Sequence, residues 1–153
     1  EVGGDTMWSC AYSAYDNMPD MYKRACEGLE AVHSVANGLS MTQGAEKMQE
    51  MLKKYPTQAH PVIRTHPVTK KKTIYVNRAH TSHVRRMSRQ DSNELLDVLY
   101  RQFAIPEHQC RFRWKANSIA FWDNRACQHY AISDYFPAYR EMYRITIEGG
   151  KPF

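Results

Sequence analysis

The stretch FWDNRACQHYAISDYFPAYREMYRITI, residues 121–147, decides how the rest of the chain is interpreted. Its one histidine, His129, is followed by two arginines, Arg140 and Arg144, in a run rich in aromatic residues. Within it, REMYRITI alternates in character, which predicts a β-strand over 140–147. Because a strand rises about 3.3 Å per residue, the two arginines would lie on one face, about 13 Å apart.

Two arginines on one strand face have two explanations. If that face lines the inside of a barrel, an anionic ligand would pair with the guanidinium groups, whose donors match carboxylates and sulfonates. Alternatively, acidic side chains of the same region neutralise them internally, and the candidates are Asp123, Asp134 and Glu141. Spacing alone leaves both explanations open. A single histidine, taken by itself, is more often a hydrogen-bonded core residue than a ligand.

Strand patterns dominate the last third of the chain. The segment QCRFRW (109–114) alternates with a period of two, KANS (115–118) predicts a turn, and SIAFW (118–122) is a mostly apolar strand candidate. Together with the strand over 140–147, these segments predict antiparallel β-structure.

Helical patterns lie mostly before these strands. Apolar spacing predicts helices over 17–33 and 42–55 and a third from Ser88, with a capping-box-like start, to Pro106. The prolines at 56 and 61 predict a loop, and 61–77 predicts a hairpin. The expected fold is therefore mainly β with helical decoration, as a sandwich or a barrel.

Composition is that of one globular domain covering residues 1–153. The chain is 42% hydrophobic and 12% aromatic, which is enough for a packed core. No apolar run approaches the roughly 20 residues that span a bilayer. The four cysteines form no CxxC pair, so we expect reduced thiols in a cytoplasmic protein.

The net charge of +5 comes from one segment of the chain. Residues 61–90 contain eight Lys and Arg and no Asp or Glu. A nucleic-acid surface is one explanation, and a solvated hairpin with the Lys-rich tip VTKKKT is the other. We favour the hairpin and expect no nucleic-acid partner, because Tyr75 is the only Phe, Trp or Tyr among these residues and no series of aromatic residues is available for stacking.

Beyond these patterns, the segment WDNRACQHYAISDYFPAYREMYRIT (122–146) resembles the C-terminal motif of the taurine dioxygenase family. These Fe(II)/2-oxoglutarate-dependent enzymes include 2,4-dichlorophenoxyacetate dioxygenase. The resemblance continues through GGDTMW (3–8), GLEAVH (28–33), HPVIRTHPVTKKKTIYVN (60–77) and CRFRW (110–114), in order and spacing. It therefore extends over essentially the whole chain.

The resemblance implies a double-stranded β-helix, which is a cupin-like jelly roll with iron at its open end. It implies His129 as an Fe(II) ligand, and Thr6 and Arg140 as the residues that bind the far carboxylate of 2-oxoglutarate. Arg144 would meet the anionic group of a sulfonate-type, taurine-like substrate. The reaction would consume O2 and release succinate and CO2, with ascorbate in a supporting role. Self-association is expected by family analogy alone.

Two departures from the family pattern concern the metal and the substrate. The family's other two ligands form an H-x-D motif before GGDT, and no such triplet occurs in this sequence. We therefore expect these residues to be the C-terminal portion of a catalytic domain that does not hold catalytic iron alone. In the family motif N-x-x-F-T, which begins here at Asn77, His80 replaces the aromatic residue of the substrate pocket. A more polar pocket makes taurine itself a poor candidate, and leaves other sulfonates, alkyl sulfates and aryloxyacetates. Alternatively, His80 only reshapes a surface loop. The alternative function is a non-catalytic β-roll that binds anions or nucleic acid through 61–90.

Overall fold

A computed structural model of the protein describes residues 3–37 and 45–150. The described strands, in chain order, are β1 (Thr6–Cys10), β2 (Glu30–His33), β3 (Gln58–Pro61), β4 (Ile63–Thr65), β5 (Lys72–Ile74), β6 (Thr81–Val84), β7 (Gln109–Phe112) and β8 (Cys127–Ala131). The helices are α1 (Ala11–Asp16), α2 (Asp20–Cys26), α3 (Ala45–Lys54) and α4 (Arg89–Phe103). None of these helices is long and apolar enough to cross a membrane.

The strands form two three-stranded antiparallel sheets and one hairpin. The β1 sheet has the order β7-β1-β8, and the β2 sheet has the order β3-β2-β6. Strands β4 and β5 pair with each other, with Ile63 opposite Ile74. The hairpin predicted over 61–77 is therefore confirmed, and its Lys-rich tip is the connection between β4 and β5.

Helix α4 joins the core to the β2 sheet. Ser88 caps the helix by accepting a hydrogen bond from the Asp91 N–H, 3.1 Å away, which confirms the predicted helix start. The hydroxyl of Ser92, fully buried, accepts from the Val84 N–H of β6 at 2.8 Å. The apolar face of α4 then packs into one core with α1 and the hairpin strands. The buried core residues include Ala14, Met18, Val62, Ile74, Val76, Val84, Leu96 and Leu99.

Two upstream predictions are wrong because strand pairing overrides local helical spacing. The helix predicted over 17–33 ends at Cys26, and Gly28, at φ +72°, turns the chain into β2. The loop predicted between Pro56 and Pro61 contains β3, which pairs with β2. The helix predicted over 42–55 corresponds to α3, and its first three residues lie outside the described part of the chain.

Two downstream predictions are also wrong. The turn at 115–118 is present, with the Ser118 N–H donating to the Lys115 carbonyl at 3.0 Å. However, neither 118–122 nor 140–147 forms a strand. Ile119 and Ile145 are 91% and 95% exposed. An extended segment becomes a strand only when a neighbour supplies ladder hydrogen bonds, and no described segment does so here.

Candidate functional site

Strand register places Thr6 and His129 on the same face of the β1 sheet. Trp8 lies directly opposite His129, and Thr6 lies directly opposite Ala131. Directly opposite residues share a face, as do residues two apart along a strand. Trp8 contacts the rings of Phe112, Trp114 and Trp122, and the Trp122 ring lies 5.2 Å from that of His129. An aromatic layer therefore packs beside both polar side chains.

Arg140 reaches the start of β1 from a distant part of the chain. Its Nε donates to the Gly4 carbonyl at 2.9 Å, and its Nη2 lies 3.4 Å from Thr6 Oγ1. Its guanidinium also lies over the ring of Tyr135, 5.9 Å from the centroid. Among the described residues, no carboxylate forms an ion pair with Arg140. The structure thus brings the predicted Thr6 and Arg140 together and leaves the cation with donors to spare.

The GGDT segment is shaped to fit this arginine. Gly4 has a φ of +73°, and a Cβ there would lie 3.1 Å from Cδ of Arg140. The Gly4 N–H donates to Asp134 Oδ1 at 2.8 Å, which holds the turn. Asp5, nearly buried, accepts from Nε of Arg111 at 2.6 Å. These contacts fix the position of the Gly4 carbonyl that holds Arg140.

The three acidic residues that could have neutralised the arginines have other partners. Asp134 contacts Gly4 and Arg111, and Asp123 contacts His66 and Arg125. Glu141 accepts from the Tyr139 hydroxyl at 3.1 Å. None of these three acids forms an ion pair with Arg140 or Arg144 in the described part of the chain. Arg144 is exposed to solvent, so an anionic ligand of the two arginines stays a prediction.

A buried hydrogen-bond network holds the turn that leads into β8. Nδ1 of the buried His66 accepts from the Val68 and Thr69 N–H groups, at 3.3 and 3.1 Å. The proton therefore lies on Nε2, which donates to Asp123 Oδ2 at 3.0 Å. Arg125 donates to both oxygens of Asp123, at 2.9 and 2.7 Å. These hydrogen bonds hold the pKa of Asp123 well below its usual range.

Four of the predicted site residues line one cavity of about 820 Å³: His129, Arg144, Asn77 and His80. Burial, followed by the charge of Arg144, lowers the pKa of His129, which favours a neutral imidazole. Asn77 uses its side-chain oxygen to accept from the His80 N–H at 2.8 Å, so it also shapes the turn between the two. The apolar part of the wall includes Ile74, Val76 and Phe103.

Several residues of the site were missed from the sequence. Trp114 donates its indole N–H to Thr6 Oγ1 at 2.9 Å, and Arg111 holds Asp5 and Asp134. At the cavity, Arg78 stacks on Tyr100, 4.5 Å from the ring centroid, and pairs with Asp97 at 3.1 Å. The alternating pattern of 109–114 and the CRFRW resemblance included Arg111 and Trp114 but gave neither residue a role, and their contacts with distant segments have no local sequence signal.

The described residues fit a cosubstrate carboxylate better than they fit a complete metal site. Arg140 and Thr6 offer donors to a carboxylate, and His129 offers one neutral nitrogen ligand. Within 3–37 and 45–150, no group of three metal-binding side chains converges. His129 therefore fits as one ligand of an iron ion whose coordination these residues do not complete.

In the described part of the chain, one face of the β1 sheet carries Thr6 and His129, and Arg140 lies beside Thr6 without an ion-pair partner. Residues 1–146 match the family described as taurine catabolism dioxygenase TauD, TfdA, and the chain belongs to that family.

Similar proteins agree with this assignment. The chain is 35% identical to an alkylsulfatase of Acinetobacter baylyi, over 97% of this chain and 49% of that protein. It is 33% identical to an alpha-ketoglutarate-dependent sulfonate dioxygenase of Saccharomyces cerevisiae, over 98% of this chain and 36% of that protein. A crystal structure of a taurine dioxygenase from Burkholderia xenovorans superposes with a TM-score of 0.75 at 30% identity, over 90% of this chain and 43% of that chain.

These comparisons confirm the family and the predicted jelly-roll class of fold. The chain spans about half, or less, of the length of the curated relatives that it matches.

Proposed function

We propose that the whole protein is an Fe(II)/2-oxoglutarate-dependent dioxygenase that hydroxylates a small sulfonate or sulfate ester. The observation that carries the proposal is Arg140, which lies beside Thr6 without an acidic partner among the described residues. It lies against the strand whose Trp8 faces His129. Two relatives are an alkylsulfatase and a sulfonate dioxygenase, which supports the substrate class.

In this proposal the described residues bind and orient the cosubstrate and contribute one ligand to the iron. Arg140 and the Thr6 hydroxyl hold the far carboxylate of 2-oxoglutarate, because a guanidinium fork and a hydroxyl together supply donors to both oxygens. His129 is one iron ligand, and no group of three metal-binding side chains converges among the described residues. Iron, when bound with 2-oxoglutarate and O2, supplies the oxidising power for hydroxylation of a C–H bond.

The cavity beside His129 selects the substrate. Arg144 pairs with the sulfonate or sulfate oxygens, and Asn77 and His80 line the same space. The apolar wall of Ile74, Val76 and Phe103 suits a hydrocarbon chain. This combination favours an amphipathic anion over taurine, which has no apolar tail to bury.

The alternative of a nucleic-acid surface on 61–90 has less support. Of its basic residues, Arg64 is 3% exposed. Lys72, Arg78 and Arg85 pair with Glu27, Asp97 and Glu30. The basic residues of 61–90 therefore do not form one continuous, unpaired basic surface. Self-association, a cytoplasmic location and a benefit from ascorbate stay predictions.

The test is succinate formation by the intact protein that carries these residues. It is supplied with Fe(II), 2-oxoglutarate and ascorbate, and with taurine, a longer alkylsulfonate, an alkyl sulfate and an aryloxyacetate. We expect turnover with the alkyl sulfate or the longer sulfonate. Arg144→Gln should raise KM for that substrate about tenfold or more while leaving KM for 2-oxoglutarate unchanged.

Arg101→Gln, at an exposed position of α4, is the matched control and should leave both KM values unchanged. Succinate at background level with every compound would overturn the proposed function. Salt-sensitive binding to nucleic acid would favour the alternative.

A further inference from the structure

Three of the four cysteines lie on the β1 sheet. Cys10 is the last residue of β1 and lies directly opposite Cys127, the first residue of β8. Cys110 of β7 lies opposite Trp8. All four cysteines are free thiols, and neither Cys10 nor Cys127 is fully buried. The proposed function uses none of them.

The hydrogen-bond pattern of the ladder shows how closely Cys10 and Cys127 approach. The Ala11 N–H donates to the Ala126 carbonyl at 2.8 Å, and the Ile132 N–H donates to the Asp5 carbonyl at 3.0 Å. Both contacts belong to the β1–β8 register, and hydrogen-bonded and non-hydrogen-bonded pairs alternate along an antiparallel ladder. Cys10 and Cys127 therefore occupy a non-hydrogen-bonded pair.

In such a pair the two side chains are closest. The Cα atoms lie about 4.5 Å apart, at the short end of the roughly 4.4–6.8 Å range that disulfides accept. The other thiols are less well placed. Cys110 is diagonal to Cys10, with a Cα separation of about 7–8 Å, and it lies two strands, about 10 Å, from Cys127. Cys26 is fully buried in the hydrophobic core.

We propose that Cys10 and Cys127 form an oxidation site that closes to a cross-strand disulfide with hydrogen peroxide. One thiol sulfur attacks the peroxide, the O–O bond breaks, and a sulfenic acid and one water form. The second thiol attacks that sulfur, the S–S bond forms, and a second water leaves. The two sulfurs together lose two electrons, and the peroxide is reduced to water.

The disulfide would join the two strands that carry Thr6 and His129, two positions along the ladder from the Trp8–His129 pair. It would also remove the hydrogen bond that the Cys127 thiol donates to the Asp123 carbonyl at 3.1 Å. The modification therefore reaches the turn held by His66. The inference does not rest on the proposed function, because it concerns only the thiols and the strand register.

The test treats the protein with an equimolar amount of hydrogen peroxide, blocks remaining thiols with N-ethylmaleimide and maps peptides without reduction. We expect one cross-linked peptide pair that contains Cys10 and Cys127, two fewer free thiols, and full reversal by a phosphine reductant. Cys110→Ser should form the same cross-link to the same extent, and Cys10→Ser should form none.

The wild-type map decides the matter even if a variant fails to fold. Two outcomes would overturn the proposal: oxidation confined to the exposed Cys110, or a peptide map that lacks the Cys10–Cys127 pair. Neither outcome depends on succinate formation, so a failure here is distinguishable from a failure of the proposed function.

Discussion

The β1 sheet and the β2 sheet are built alike and differ in what their faces meet. Each has three antiparallel strands, and each central strand begins two residues after a glycine with positive φ, which is +73° at Gly4 and +72° at Gly28. A Cβ at Gly4 would meet Arg140, whereas a Cβ at Gly28 would meet nothing within 4 Å. The glycine with positive φ therefore leaves room for a side-chain contact in the β1 sheet, whereas in the β2 sheet it only changes the direction of the chain.

The histidines of the two sheets also differ in what surrounds them. His33 in β2 packs against the rings of His60 and Tyr75, 5.3 and 5.7 Å away. Burial, followed by the nearby His60 and His80, lowers the pKa of His33 to about 4. Burial also lowers the pKa of His129, but His129 lines a cavity together with Arg144. A depressed histidine pKa therefore does not mark a site by itself.

The largest expected effect concerns the turns that lead into the outer strands. Asp123→Ala would leave the buried His66 and the partly exposed Arg125 without their shared acceptor before β8. Because the Asp123 carboxylate is itself partly exposed, we expect the variant to lower the free energy of unfolding by about 2 kcal/mol. Asn77→Ala before β6 removes one hydrogen bond to the His80 N–H and should cost about 1 kcal/mol. Urea denaturation of both variants measures the difference. Equal losses would show that the Asp123 network adds nothing to the stability of its turn.

The second prediction compares alanine substitutions at Gly4 and Gly28. Alanine at position 4 or at position 28 places a Cβ in the left-handed region, at about 1 kcal/mol of stability in each case. Only Gly4→Ala displaces Arg140, so only that variant should weaken 2-oxoglutarate binding, by about tenfold. Denaturation and 2-oxoglutarate titration of the intact protein are the two measurements. Equal 2-oxoglutarate affinity in the two variants would contradict the role given to Gly4.

A third effect is a pH dependence. Because the folded-state pKa of His33 lies below the usual value near 6.5, the unfolded chain takes up a proton first as the pH falls. The free energy of unfolding should therefore decrease by about 1–2 kcal/mol from pH 6.5 to pH 4, through this group. His33→Gln should flatten that slope, and His129→Gln should flatten it less. Unfolding curves at both pH values provide the check, and an unchanged slope in His33→Gln would be the contrary result.

Local chemistry allowed part of this structure to be predicted from the sequence. The cap at Ser88 and the Lys-rich hairpin depend on neighbouring residues, and both are present. Pairing between distant segments could not be predicted in this way. Residues 30–33 fit a helix and a strand equally well until β3 and β6 bind them on either side.

In the candidate site, too, some features could be predicted from the sequence and others could not. The contact between Thr6 and Arg140 spans 134 residues, and the motif resemblance predicted both residues but not their geometry. The pairing of His66 with Asp123 has no local signal, because its two residues lie 57 positions apart.

The proposed function depends on Arg140 as the group that binds the far carboxylate of 2-oxoglutarate. The decisive measurement is the Kd of 2-oxoglutarate and of 2-oxobutyrate, which lacks that carboxylate, for the intact protein under anaerobic conditions by tryptophan fluorescence. Arg140→Gln should weaken 2-oxoglutarate binding about tenfold or more and leave 2-oxobutyrate binding unchanged, with Arg101→Gln identical to wild type for both. An Arg140→Gln protein that binds 2-oxoglutarate as tightly as the wild type would contradict the account.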